Sequence, residues 1–223
     1  MEWLETAVLW GVPVVLAITL HEAAHGYVAK LFGDDTAAML GRVTLNPVKH
    51  VDLVGTILVP AAMVLLKLPF IFGWAKPVPV NFANLRHPKR DMIWVAAAGP
   101  GSNFVQALAW AMVLVAAVGS GVLASDGLSR MALAGVQVNM ILMALNLLPI
   151  PPLDGGRILT GLLPTPAARV FARIEPFGLF VIVGLLAAGL LDNLMRPLMH
   201  VAARSIAAMV PSIEPILRQL YGV

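Results

Sequence analysis

Two histidines and a glutamate stand in a five-residue run, His21-Glu22-Ala23-Ala24-His25, at the end of an uncharged stretch. On a helix, residues four apart project from one face, so both imidazoles can grip one metal ion. Imidazole nitrogen suits zinc, and Glu22 lies close enough to reach a water that the metal activates. That is the chemistry of metal-assisted hydrolysis. Residues 6–20 carry no charge, so the motif enters at the end of a membrane-type helix. An ionisable cluster at that depth is costly and calls for a functional explanation. A five-residue match also arises by chance, and a third ligand elsewhere in the chain is what separates the two readings.

Asp154 is the candidate. It is the only carboxylate between Asp126 and Glu175, and uncharged residues 131–153 lead directly to it. Alone, an aspartate there reads as a helix cap or turn former. Beside two imidazoles it completes a His₂-carboxylate set, and a catalytic zinc takes three protein ligands and keeps one position open.

The 223 residues are 59% hydrophobic and only 12% charged, with a mean hydropathy of +0.86. Soluble domains average about 25% charged residues, so composition excludes a soluble peptidase. It specifies an all-α polytopic membrane protein, read as one domain over residues 1–223, with a core at 6–160 and a C-terminal span and tail at 174–223. The net charge of +3 is spread between apolar runs without a basic stripe. Nucleic acid is therefore not an expected partner, and the cations serve orientation and lipid contact in the bilayer. With no cysteine, any metal must rest on histidine and carboxylate. The N-terminal residues lack the basic region of a cleavable signal.

About four transmembrane helices are expected, at 6–29, 92–118, 131–148 and 176–191. The second is read as broken early by Ala98-Gly99-Pro100-Gly101-Ser102-Asn103. Residues 41–47 read as a short strand ended by Asn46-Pro47, and 73–81 as extended because of its alternating prolines. Residues 198–223 are amphipathic and read as a last crossing or a helix lying at the surface, with Arg204, Pro211, Glu214, Pro215 and Arg218 favouring the surface. His50, His87 and His200 have no motif partner and read as interfacial.

From Thr6 to His21 the helix covers roughly 22 Å of a hydrocarbon core about 30 Å thick, which puts the metal site toward the exit face. Lys30, Arg42 and Lys49 follow that exit, so the N-terminus is expected outside and the site near the cytoplasmic face. For Asp154 to meet the histidines, helix 131–148 must run in the same direction as the first. An odd number of crossings then lies between them, and 92–118 supplies one. Segment 53–72, interrupted by Gly55, Pro60, Lys67 and Pro69, should therefore dip in and return, or lie shallow.

These features together resemble the site-2 protease family of intramembrane zinc metalloproteases. The resemblance spans HEAAH with GYVAKLFGD, then GRVTLNPVKHVD, GWAKPVPVN, AAAGPGSNF and NLLPIPPLDGG, in that order. It implies that His21, His25 and Asp154 ligate zinc and that Glu22 activates water. It further implies that Asn146 and Asn103 hold the substrate strand or the oxyanion; Asn103 also fits a helix cap, and Asn146 also fits a partner for backbone freed by Pro149. Segments near 41–49 and 73–81 would be strands that pair with an unwound substrate, or simple surface connectors. The chain looks like the minimal branch, without peptide-binding or nucleotide-binding modules. The expected activity is cleavage of transmembrane segments of other membrane proteins, in a bacterial or archaeal cell membrane. A metal carrier or non-proteolytic metal-binding scaffold is the alternative. A carrier would string polar groups along several spans, whereas here they gather at one depth. The oligomeric state and the substrate are not legible.

Overall fold

The computed structural model describes residues 2–66, 73–119 and 126–222. The first helix, α1 (Glu2–Leu31), contains Pro13 and stops at Gly33, whose φ of +107° suits only glycine. Asp34 N–H then donates to Ala29 O across 2.9 Å, closing the helix end. The buried Asp34 carboxylate accepts from Thr36 in the short helix α2 (Thr36–Met39), from Asn81 N–H at 2.7 Å and from Asn84 at 3.1 Å. The end of α1 is thereby pinned to the loop that follows the proline-rich segment.

The two expected strands are absent among the described residues. Gly41 adopts a left-handed φ of +62°, and Asn46 caps a 3-10 turn, Pro47–His50, by accepting from Val48 N–H. In the extended segment 73–81, Pro77 and Pro79 have no N–H to give a ladder. Several of its other donors go elsewhere: Lys76 N–H to His50 O, Val78 N–H to Glu22, and Asn81 N–H to Asp34. Arg42 clasps the same segment through Lys76 O and Pro77 O. His50, expected at the interface, is instead buried, its Nε2 3.0 Å from Thr44 O.

Between these pieces, a π-helical turn (Leu53–Leu58) leads into α3 (Val59–Leu65). Residues 67–72 of the segment expected to be re-entrant lie outside the described residues. Its two flanks nevertheless meet, because Trp74 N–H donates to Gly55 O and Thr56 Oγ1–H to Trp74 O.

Helix α4 (Pro88–Gly119) runs straight through the Gly-Pro-Gly stretch that reads as a break. Its small residues allow close packing on α1, and a proline in a membrane helix is tolerated where neighbours absorb the lost bond. Ala96, Gly99, Asn103, Gln106, Ala107, Ala111 and Leu114 form its buried stripe, recurring every three or four residues. Helix α5 (Gly127–Asn146) packs on both α4 and α1. Arg130 pairs with Glu5, so the N-terminal ends of α1 and α5 are neighbours and the two helices run in parallel.

After α5 the chain unwinds through Leu147–Leu153 and re-enters helix as α6 (Asp154–Leu162). A Cβ on Gly155 would lie 2.3 Å from Leu147 O, and one on Gly156 2.5 Å from Pro151 N. The glycine pair is what lets α6 start against the unwound backbone. Helices α7 (Thr165–Ala172) and α8 (Gly178–Ala187) follow. Among the described residues, four stretches are long and apolar enough to cross a membrane: Leu4–Leu31, Pro88–Gly119, Gly127–Asn146 and Thr165–Ala187. The amphipathic tail, α9 (Leu191–Met209) and α10 (Glu214–Tyr221), does not lie apart. Ala202, Ala203, Ile206, Ile213 and Leu217 are buried in one cluster with Ala107, Ala111, Ala132 and Val136, so its apolar stripe closes the bundle.

Candidate metal centre

Parallel α1 and α5 bring the start of α6 beside the paired imidazoles. His21 Nε2 and His25 Nε2 stand 3.1 Å apart, and Asp154 Oδ2 lies 3.2 and 3.3 Å from them. All three residues are buried. They form a group whose ligand atoms lie within 4.8 Å of one another.

The outward-facing ring nitrogens are engaged as well. His25 Nδ1 is 2.7 Å from Val95 O, a backbone carbonyl that can only accept, so Nδ1 carries a proton and, in the neutral ring, Nε2 holds the lone pair. His21 Nδ1 is 2.6 Å from Asn103 Oδ1. Asp154 Oδ2 is buried and satisfied by no other donor. Three ligand atoms converging this closely, away from water, form a group that could hold a metal ion. Two nitrogens and a carboxylate oxygen, with both imidazoles anchored through Nδ1, suit zinc. Gly99 makes room for the pair: a Cβ there would sit 2.4 Å from His25 Nε2 and 2.5 Å from His21 Nε2.

Glu22 occupies the neighbouring position on α1, half-buried, and its Oε2 accepts from Val78 N–H at 2.7 Å. The segment 73–81 therefore passes directly over the carboxylate. The two asparagines lie differently. Asn103 is fully buried inside α4, and its Nδ2 donates to Ala17 O and Asn139 Oδ1 while its Oδ1 faces His21. Its amide is fully used, which points to orienting the ring rather than holding an oxyanion. Asn146, at the end of α5, donates to Leu142 O at 3.0 Å and makes no hydrogen bond to the three-residue group among the described residues.

Sequence reasoning missed Asn139, buried at the centre of α5, and the carbonyl of Val95. The only signal for Asn139 is an amide inside an uncharged span, where polar side chains turn toward the bundle interior.

A buried trio that could hold a metal ion, a carboxylate one residue along and a bundle of membrane-type helices are the features expected of a membrane metalloprotease. Residues 115–189 match the model of Peptidase family M50. YwhC of Bacillus subtilis (strain 168), named as a candidate zinc metalloprotease, is 38% identical over 211 residues, covering 92% of this chain and 93% of that protein. Rip2 of Mycobacterium tuberculosis (strain H37Rv), similarly named, is 31% identical over 190 residues, covering 80% of this chain and 66% of that protein. Rip2 of Mycolicibacterium smegmatis is 28% identical over 179 residues, with 80% and 66% covered. No solved structure matches. The chain belongs to peptidase family M50, the site-2 proteases, and is an integral membrane zinc metalloprotease.

Proposed function

We propose that this protein is an endopeptidase that cuts transmembrane segments of other membrane proteins, with His21, His25 and Asp154 as zinc ligands and Glu22 as general base. The observation that carries this reading is the convergence of two imidazole nitrogens and a carboxylate oxygen within an apolar bundle, beside Glu22. The chemistry a bound zinc supplies is Lewis acidity, which lowers the pKa of water and polarises the peptide carbonyl.

The residues of the chain do the rest. Oε2 of Glu22 is held by Val78 N–H, so Oε1 is the atom that takes the proton from water and later returns it to the leaving amine. A helical peptide bond is shielded by its own hydrogen bonds, so the substrate must unwind before it reaches Glu22. The extended backbone of 73–81, which already crosses Glu22, is the natural guide for such a segment. Asn146, with one amide hydrogen given to Leu142 O, keeps a second for the oxyanion. The reading includes an outer N-terminus, a site near the cytoplasmic face of a bacterial or archaeal cell membrane, and a role in regulated intramembrane proteolysis.

The test is Glu22→Gln in purified, detergent-solubilised protein supplied with a membrane-helix substrate. Zinc is expected to be retained and cleavage lost. Undiminished cleavage would remove Glu22 from the chemistry.

A further inference from the structure

Asn139 takes no part in the chemistry above, yet it is fully buried in the uncharged stretch of α5. Its Nδ2 lies 2.9 Å from Gly135 O, a backbone carbonyl that can only accept. That contact fixes which end of the Asn139 amide is nitrogen, so Oδ1 must face Asn103. Across 2.9 Å, Oδ1 accepts from Asn103 Nδ2, whose other hydrogen points to Ala17 O at 3.3 Å. Asn103 must therefore present Oδ1, an acceptor, to His21 Nδ1 at 2.6 Å. The ring then carries its proton on Nδ1 and turns the Nε2 lone pair toward His25 and Asp154.

We infer that Asn139 is a positioning residue for zinc: through Asn103 it sets the tautomer and ring orientation of His21. The chain is directional because a carbonyl stands at each end, Gly135 O and Ala17 O, and neither amide can be flipped without setting a buried acceptor against an acceptor. His25 needs no such relay, since Val95 O fixes it directly. A ligand whose partner is an amide depends on what orients that amide, whereas one whose partner is a carbonyl does not. The asymmetry makes His21 the ligand that distant substitutions on α5 can disturb.

This inference rests on the reading of His21 as a zinc ligand. The experiment measures zinc affinity by competition with a chelator in the purified full chain, for the parent, His21→Ala, Asn139→Leu, Asn139→Asp, Asn103→Leu and the Asn103→Leu/Asn139→Leu double variant. Loss of an outer partner of a metal ligand typically weakens binding by about 10- to 100-fold. Asn139→Leu is expected in that range. Asn139→Asp, kept neutral by its apolar surroundings, offers the same acceptor and donor and should bind within about threefold of the parent. In the Asn103→Leu background, Asn139→Leu should add less than about threefold, because the relay is already cut. Parent-like affinity of Asn139→Leu, or losses that simply multiply in the double variant, would overturn the inference. Should Asn139→Leu fail to fold, weak zinc binding by a folded Asn139→Asp would overturn it as well. Equal binding by the parent and His21→Ala would instead sink the metal-site reading itself.

Discussion

Replacing Gly99 by alanine is expected to separate helix stability from metal binding. In a helix interior, alanine is favoured over glycine by about 1 kcal/mol, so propensity alone would stabilise α4. The new Cβ, however, would stand 2.4 Å from His25 Nε2 and 2.5 Å from His21 Cε1 and Nε2, where ordinary contact begins at 3.4 Å. Something must yield by about 1 Å, and the atoms in the way are the ligand nitrogens. Metal sites tolerate displacements of about 0.2 Å, and a misplacement of about 1 Å costs roughly 100-fold where geometry decides. The expected loss of zinc affinity is thus about 100-fold, equivalent to about 2.8 kcal/mol. Gly101→Ala is the control on the same helix, since a Cβ there meets nothing within 4 Å. Both variants would be titrated with zinc against a chelator and unfolded thermally without metal. Zinc binding by Gly99→Ala within threefold of the parent would refute the close-approach reasoning.

Other expectations follow from the same geometry. Burial works against the charge of Asp34, but donors from Thr36, Asn81 and Asn84 hold its carboxyl below the ordinary 3.8. A carboxyl lowered by folding stabilises above its unfolded pKa, and the contribution is lost as pH falls through the folded value. Asp34→Ala should therefore lower the unfolding midpoint at pH 7, by about 1–3 kcal/mol in stability, and the gap should narrow below about pH 4; an equal gap at pH 7 and pH 3 would contradict this. The chain has no cysteine, so single introduced thiols report topology. Met39→Cys and Ala83→Cys should react with an impermeant reagent from one side of the membrane and Leu128→Cys from the other; opposite sides for the first two would mean that the intervening segment crosses. Glu5→Cys with Arg130→Cys should be joined by a bifunctional thiol reagent whose span matches the Arg–Glu bridge it replaces, and failure to do so would count against parallel α1 and α5.

The histidine pair and Asp154 were legible for a geometric reason. Four-residue spacing defines a helix face, and crossing parity restricted how Asp154 could arrive beside it. The strands were misread because the prolines that hold 73–81 extended also deny it a ladder: Pro77 and Pro79 lack an N–H, and those of Val78 and Asn81 go to Glu22 and Asp34. Gly99-Pro100-Gly101 looked like a break since its composition is that of a turn; only packing against α1 shows why small residues are needed there. The tail seemed peripheral because charges interrupt it, yet its alanines and Ile206 are what α4 and α5 require for closure. Asn139 was invisible for a different reason: a lone amide acquires meaning only from Gly135 O, Asn103 and His21, which meet in three dimensions.

The most direct measurement is the metal content of purified protein, parent against Asp154→Ala, with zinc X-ray absorption of the parent. One zinc per chain, coordinated by two imidazoles and oxygen, is expected for the parent, with zinc lost or greatly weakened in the variant. Asp154→Ala holding zinc with unchanged stoichiometry and affinity would contradict the joining of α1 and α6 around one ion.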